Sequence, residues 1–208
     1  MVWHAVPWWV QNLFPERVWK NNETENSVHL TFDDGPVPGA TDYVLKELEV
    51  RKMKATFFMV GDNVRKYPNL AKEVLANGHA IGNHTFHHLN GWKTAKDIYM
   101  EDITECDRII QGILGITPRL FRPPYGLMSP NQARLVLKQK KVIMWDVLSG
   151  DYDSSLSSDL ILKETMKLTK PGSVILFHDQ EKTKKMLRDI LPPFLDHVLE
   201  MNWRTKSL

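Results

Sequence analysis

Two short stretches of this chain gather residue types that hold metals and move protons. Thr31-Phe32-Asp33-Asp34-Gly35-Pro36 sets two carboxylates side by side ahead of a turn, and His84-Thr85-Phe86-His87-His88 crowds three imidazoles together. At a strand end adjacent side chains point in different directions, so one carboxylate can bind a metal while its neighbour stays free. Taken alone, Asp-Gly-Pro is also ordinary turn chemistry. His84 and His88 are four apart, the spacing at which one helical turn stacks two rings, while His87, three from His84, competes for the same role. With Asp34 as third ligand, two His and one carboxylate leave open positions on a divalent ion, which is the layout of a hydrolytic site and not of a closed structural one. His79 opens an apolar run and reads as a hydrogen-bonded core residue.

These groups need elements to position them. Short β-rich runs at Val28–Phe32, Lys54–Val60, His79–Gly82, Arg119–Phe121, Val142–Trp145, Ser173–Phe177 and Trp203–Ser207 alternate with helical patterns at Asp42–Lys52, Asn69–Ala76, Thr94–Leu114, Asn131–Lys140, Ser158–Leu168 and Thr183–Met201. Regular β-α alternation predicts parallel strands with right-handed crossovers. The expected class is α/β, and seven units suggest an incomplete barrel. Five of the runs are followed by polar groups: Asp33 and Asp34; Asn83, His84, His87 and His88; Arg122 to Tyr125; Asp146 and Asp151; His178 and Asp179. Since the C-terminal strand ends of a β/α barrel form its catalytic face, five distant segments would converge on one site.

Composition sets the limits around that site. With 208 residues, 42% hydrophobic and 25% charged, the chain is long enough to bury one large core without disulfides. The net charge of +2, with basic and acidic residues intermixed, excludes the basic stripe of a nucleic-acid binder. Cys106 stands alone and reads as an inert thiol. Residues 1–26 form an aromatic N-terminal segment ending in the polar run Asn21–Asn26, and residues 27–208 the main domain. The segment lacks a signal peptide's basic start and uninterrupted apolar stretch, so a cytoplasmic protein is expected. Its Trp3, Trp8, Trp9, Val10, Leu13, Phe14, Val18 and Trp19 suit a helix packed on the domain; a membrane interface is the disfavoured reading, because few Lys or Arg accompany them.

With these motifs in place, the chain resembles the polysaccharide deacetylases of carbohydrate esterase family 4, which share the NodB homology domain. The resemblance runs from about Val28 to the C-terminus. It rests on TFDDGP at Thr31–Pro36, the His84–His88 motif, Arg122-Pro123-Pro124-Tyr125, the pair Asp151-Tyr152 and Leu176-Phe177-His178, all in family order. It implies a distorted (β/α)7 barrel resembling an incomplete TIM barrel. It also implies a divalent metal, Zn first and Co or Mn as alternatives, held by Asp34, His84 and His88. Asp33 becomes the general base, His178 the acid, Arg122 the partner of Asp33 and Asp151 the partner of His178, while the Tyr125 backbone N–H stabilises the oxyanion. Tyr152 stands where many members carry Trp and would line the acetyl pocket; Trp145 and Leu176 are further candidate walls. The implied reaction is hydrolysis of N-acetyl groups on glycans such as chitin oligosaccharide or peptidoglycan. Alternatives are xylan O-acetyl esterase activity and a non-catalytic carbohydrate-binding module, the latter disfavoured because a binder needs neither base nor acid.

Overall fold

A computed structural model describes residues 4–21 and 26–208. The central strands β1 (Ser27–Asp33) and β2 (Ala55–Met59) are buried at every position. Strands covered on both faces read as near-continuous apolar runs, and Phe32 stacks between Phe57 and Phe177 at ring separations of 5.1 and 5.8 Å. Outward from β2 lie β3 (Ala80–Asn83), β4 (Leu120–Phe121) and β5 (Lys141–Val142); on the other side of β1 lie β7 (Val174–His178) and then β6 (Val147–Leu148). Every pairing in this order is parallel. β8 (Arg204–Thr205) adds only to the first two residues of β1. The seven-strand order is open between β5 and β6, so the architecture is the expected distorted (β/α)7 barrel.

Helices α2 (Thr41–Val50), α3 (Gly61–Lys66), α4 (Pro68–Ala76), α5 (Lys96–Leu114), α6 (Pro130–Val136), α7 (Ser158–Leu168) and α8 (Lys184–Glu200) fill the crossovers. α8 runs through Pro192 and Pro193. Interior proline costs a helix about 3 kcal/mol or more, but α8 buries Leu187, Ile190, Leu191, Phe194, Leu195 and Val198, each contributing about 1.5–3 kcal/mol. Burial decides the outcome.

Two expectations need correction. The expected strand Val142–Trp145 is only Lys141–Val142, and a further short strand, Val147–Leu148, lies beyond its end, because the chain leaves β4 after Val142 and pairs with β7 only from Val147. Asp146, between them, is buried and bonded to Ser173 Oγ and Val174 N, so it belongs to the wall and not to the site. Helix α3 went unread because it starts on Gly61, a weak helix former. A Cβ there would meet the Phe86 ring at 2.7 Å and the Cys106 backbone at 3.1 Å.

The N-terminal segment lies across the opening. Its helix α1 (Trp8–Leu13) is flanked by main-chain pairs: Leu148 N donates to His4 O (2.8 Å), Val18 N to Val142 O (2.9 Å) and Met144 N to Val18 O (2.7 Å). Val6, Val10, Phe14 and Trp19 join a cluster with Tyr99, Phe121, Met128 and Met144, while Trp8, Trp9 and Leu13 face outward. Trp3, and residues 22–25 of the expected polar linker, lie outside the described residues. Among the described residues no helix is long and apolar enough to cross a membrane.

Trp19 is the buried anchor of this segment, with its indole N–H on Phe14 O. Trp19→Ala should cost about 3–5 kcal/mol of stability, as for other large core truncations. Urea unfolding checks this, and an unchanged midpoint would show that the segment adds nothing to the fold.

Candidate metal and catalytic site

β1 delivers Asp33 and Asp34 to the catalytic end, where the chain must turn at once. Asp34 adopts φ 80°, a conformation L residues rarely take. Its N–H donates to Phe58 O, and Asn63 Nδ2 donates to its carbonyl at 2.7 Å. Behind the turn, buried Asp179 accepts from Gly35 N and from Thr41 Oγ1. A Cβ on Gly35 would lie 2.1 Å from the Asp179 carboxylate, so only glycine fits there. Burial drives the Asp179 carboxyl well above the usual range, against the Thr41 bond that opposes it.

The histidine motif is an irregular loop following β3 and not the helical turn its spacing suggested. Thr85 (φ 63°) and His88 (φ 57°) bend it, and α5 holds it through Asp102, which accepts from the N–H groups of Phe86 (2.8 Å) and His87 (3.0 Å). Asp102 also takes His87 Nδ1 at 2.6 Å. That contact draws His87 away, and the ring is largely exposed. His79 is buried, accepts from Ala55 N, and is pushed down to about 4 by burial and the Lys54 charge, as a core histidine should be.

His84 Nε2 and His88 Nε2 lie 3.4 and 3.0 Å from Asp34 Oδ1, and the three candidate ligand atoms fall within 4.8 Å of one another. His84 Nδ1 stands 2.7 Å from Arg122 O. A carbonyl only accepts, so the ring proton is assigned to Nδ1, which leaves a lone pair on Nε2 facing the carboxylate. Asp34 Oδ1 is itself buried without a hydrogen-bond partner. Burial works against its ionisation, but His84, His88 and His178 together hold the carboxylate well below the usual range. Converging lone pairs around an unsatisfied anionic oxygen are the donor set of a divalent cation. The residues fit a metal.

Two hydrogen-bonded acid–base pairs flank these residues. Arg122 is fully buried; its Nη1 donates to Asp33 Oδ1 (2.7 Å) and Thr31 Oγ1 (2.8 Å), its Nη2 to Met144 O and its Nε to Ile143 O. Opposite, His178 Nδ1 bonds Asp151 Oδ1 at 2.8 Å, and Asp151 Oδ2 accepts the His178 N–H. Burial opposes the His178 charge, but the Asp151 charge and hydrogen bond, with Asp34 and Asp33 adding, push its pKa up to about 9. Asp33 and His178 are register partners on β1 and β7.

A cavity of about 770 Å³ opens over them. Asp33, Asp34, His84, His88, Tyr125, Trp145, Tyr152, Leu176 and His178 all line it. Arg122 and Asp151 sit behind that wall, bonded to Asp33 and His178. Tyr125, at φ 60°, sets its ring edge-on to His88 at 4.8 Å, and Tyr152 stands edge-on to His178 at 5.2 Å.

The polysaccharide deacetylase profile matches residues 20–144. The chain belongs to the polysaccharide deacetylase family. A peptidoglycan-N-acetylglucosamine deacetylase of Bacillus cereus is 39% identical over 152 residues, 73% of this chain but only 55% of that protein's length. The chitooligosaccharide deacetylase of Azorhizobium caulinodans is 35% identical over 76% of this chain and 75% of its own. A solved peptidoglycan N-acetylglucosamine deacetylase, in complex with 4-naphthalen-1-yl-N-oxidanyl-benzamide, superposes with a TM-score of 0.88 at 32% identity, covering 96% of this chain and 93% of that one. The family match ends before β6, so Asp151, Tyr152, Leu176 and His178 lie beyond it.

Asn63, Leu148, Lys66 and Tyr67 also border the cavity, and no sequence signal marked them. Asp102 did leave a trace, since it is a charged residue on the apolar stripe Tyr99, Ile103, Cys106, Ile110 of α5. In this polysaccharide deacetylase, Asp34→Ala, His84→Ala and His88→Ala should each lose most bound divalent ion by equilibrium dialysis, and His87→Ala should keep it. Loss on His87→Ala with retention on His88→Ala would reverse the ligand assignment.

Proposed function

We propose that the chain hydrolyses N-acetyl groups of N-acetylglucosamine-containing glycans, with a divalent metal held by Asp34, His84 and His88. The observation that carries this is the placing of Asp33 and His178 on adjacent strand ends, each with its own buried partner and both facing the ligand set. When bound, the ion, Zn in the first instance and Co or Mn as alternatives, makes water a nucleophile near neutral pH and polarises the acetyl carbonyl.

The protein's groups supply the rest. Asp33, kept oriented by Arg122, takes the proton from the attacking water. Charge developing on the carbonyl oxygen would meet the backbone N–H of Tyr125, a residue of the cavity wall. His178 carries its second proton on Nε2, because Nδ1 is committed to Asp151, and hands it to the departing amine. Trp145, Tyr152 and Leu176 enclose the acetyl methyl. Tyr152 takes the place of the Trp usual in the family, and burial raises its hydroxyl pKa, so it stays neutral there.

An amide needs this acid more than an ester does, since an amine leaves only once protonated. That favours N-acetyl substrates over O-acetylated xylan.

Asp33→Asn should keep bound metal while activity falls by about two to four orders of magnitude, the usual contribution of a positioned base. Metal-loaded wild type that binds glycan yet releases no acetate would favour the binding-module reading. His178 must be protonated to act, so kcat/KM should fall as pH rises through about 9. Asp151→Asn removes the charge that raises that pKa and should move the alkaline limb to lower pH; a limb that stays in place excludes His178 as the acid. Acetate release should be measurable on N-acetylglucosamine oligomers and weak on the free sugar, which lacks neighbouring sugars to bind. Turnover of acetylated xylan alone, with the same metal, would move the assignment to the esterase.

A further inference from the structure

Several exposed aromatic rings stand on or beside the loops around the cavity. Among the described residues, the exposed large aromatic side chains are Trp8, Trp9, Tyr67, Trp92 and Tyr125. Trp8 and Trp9 lie on α1, whereas Tyr67 and Tyr125 line the catalytic cavity. Trp92, 69% exposed, lies in the loop between β3 and α5, which also carries the metal-site histidines. No role described above uses it.

The Trp92 ring is pinned. Its indole N–H donates to Met128 O at 3.2 Å, and its backbone N–H to Asn90 Oδ1 at 3.0 Å. Buried Gln132 donates from Nε2 to Gly91 O (2.9 Å) and Thr94 O (3.1 Å), clamping the residues on either side of Trp92. The loop is pressed so closely onto its neighbour that a Cβ on Gly91 would meet Leu127 O at 2.6 Å. That neighbour is the β4–α6 loop, which carries Tyr125, itself 61% exposed and in ring contact with His88. Trp92 is therefore fixed relative to Tyr125 and the reacting centre.

The bond to Met128 engages the indole's one donor. What remains for a ligand is a rigid apolar ring, offered at little entropy cost. In a glycan, the matching surface is the C–H face of a pyranose. We propose that Trp92 and Tyr125 form an outer sugar subsite, where a pyranose beyond the one being deacetylated stacks. The inference rests on the glycan deacetylase reading above. It makes Trp92 a determinant of chain-length preference: binding at a remote sugar is used at the reacting centre, and only substrates long enough to reach it benefit.

The test compares wild type, Trp92→Ala and Trp92→Phe on the dimer and pentamer of N-acetylglucosamine. Trp92→Ala should lose about three- to tenfold in kcat/KM on the pentamer, the worth of one aromatic stack, and nothing on the dimer. Trp92→Phe should keep most pentamer activity. Equal losses on both lengths would mean a disturbed loop, and no loss on the pentamer would mean no subsite; either overturns the proposal. Calorimetric titration of the pentamer into both proteins separates this from a failure of the functional reading. If wild type releases no acetate but Trp92→Ala weakens pentamer binding by the same factor, the subsite stands and the deacetylase assignment falls. Equal dissociation constants, or no binding by wild type, overturn the subsite.

Discussion

Arg122 carries a full positive charge into the barrel wall, where isolating an ion from water costs several kcal/mol. Burial lowers its pKa, and the Asp33 charge pulls the other way. The cost is offset only because its donors meet Asp33, Thr31 and the carbonyls of Ile143 and Met144, while its plane lies 4.2 Å from the Phe58 ring. The backbone of the same residue works on the other half of the site, since its carbonyl sets the proton position on His84 and its N–H bonds Asn83 O. One residue thus fixes both Asp33, the proposed base, and His84, a proposed metal ligand.

The loops around it are held in conformations they would not choose. Among described residues other than glycine, seven have positive φ, and Asp34, Thr85, His88 and Tyr125 are four of them. Each such residue costs about 1–3 kcal/mol, and β-branched Thr85 is the least suited. Buried carboxylates supply the restraint: Asp102 gathers two amides of the histidine loop, and Asp179 holds the Gly35 amide of the aspartate turn and the Thr41 hydroxyl. The site is rigid because a second tier of acids, none touching substrate, ties its loops to α5 and β7.

This division explains what the sequence made legible. The residues proposed for metal binding and proton transfer belong to compact motifs at strand ends, and β1, β2, β3 and β7 are apolar enough to place them. His84 and His88 do come together, but not through the helical turn their spacing suggested: the loop brings the rings to 5.1 Å, tilted, through two left-handed residues and Asp102. Short edge strands carry no periodicity, so Val142–Trp145 was drawn too long and Val147–Leu148 was missed. Asn63, Trp92 and Lys66 could not be assigned from their neighbours, because their roles depend on which loops meet in space.

The segment that bridges β5 and β6 carries a consequence for how the protein is made. His4 meets Leu148, 144 positions along the chain, and Val18 meets Val142. Closing such separations is entropically slow, and it cannot begin until the far strands exist. The segment precedes those strands in the chain, and until it docks on them two strand edges at the opening stay bare. Unpaired edges are templates for other chains. The contact that covers those edges is thus also one that keeps the opening from pairing with other chains.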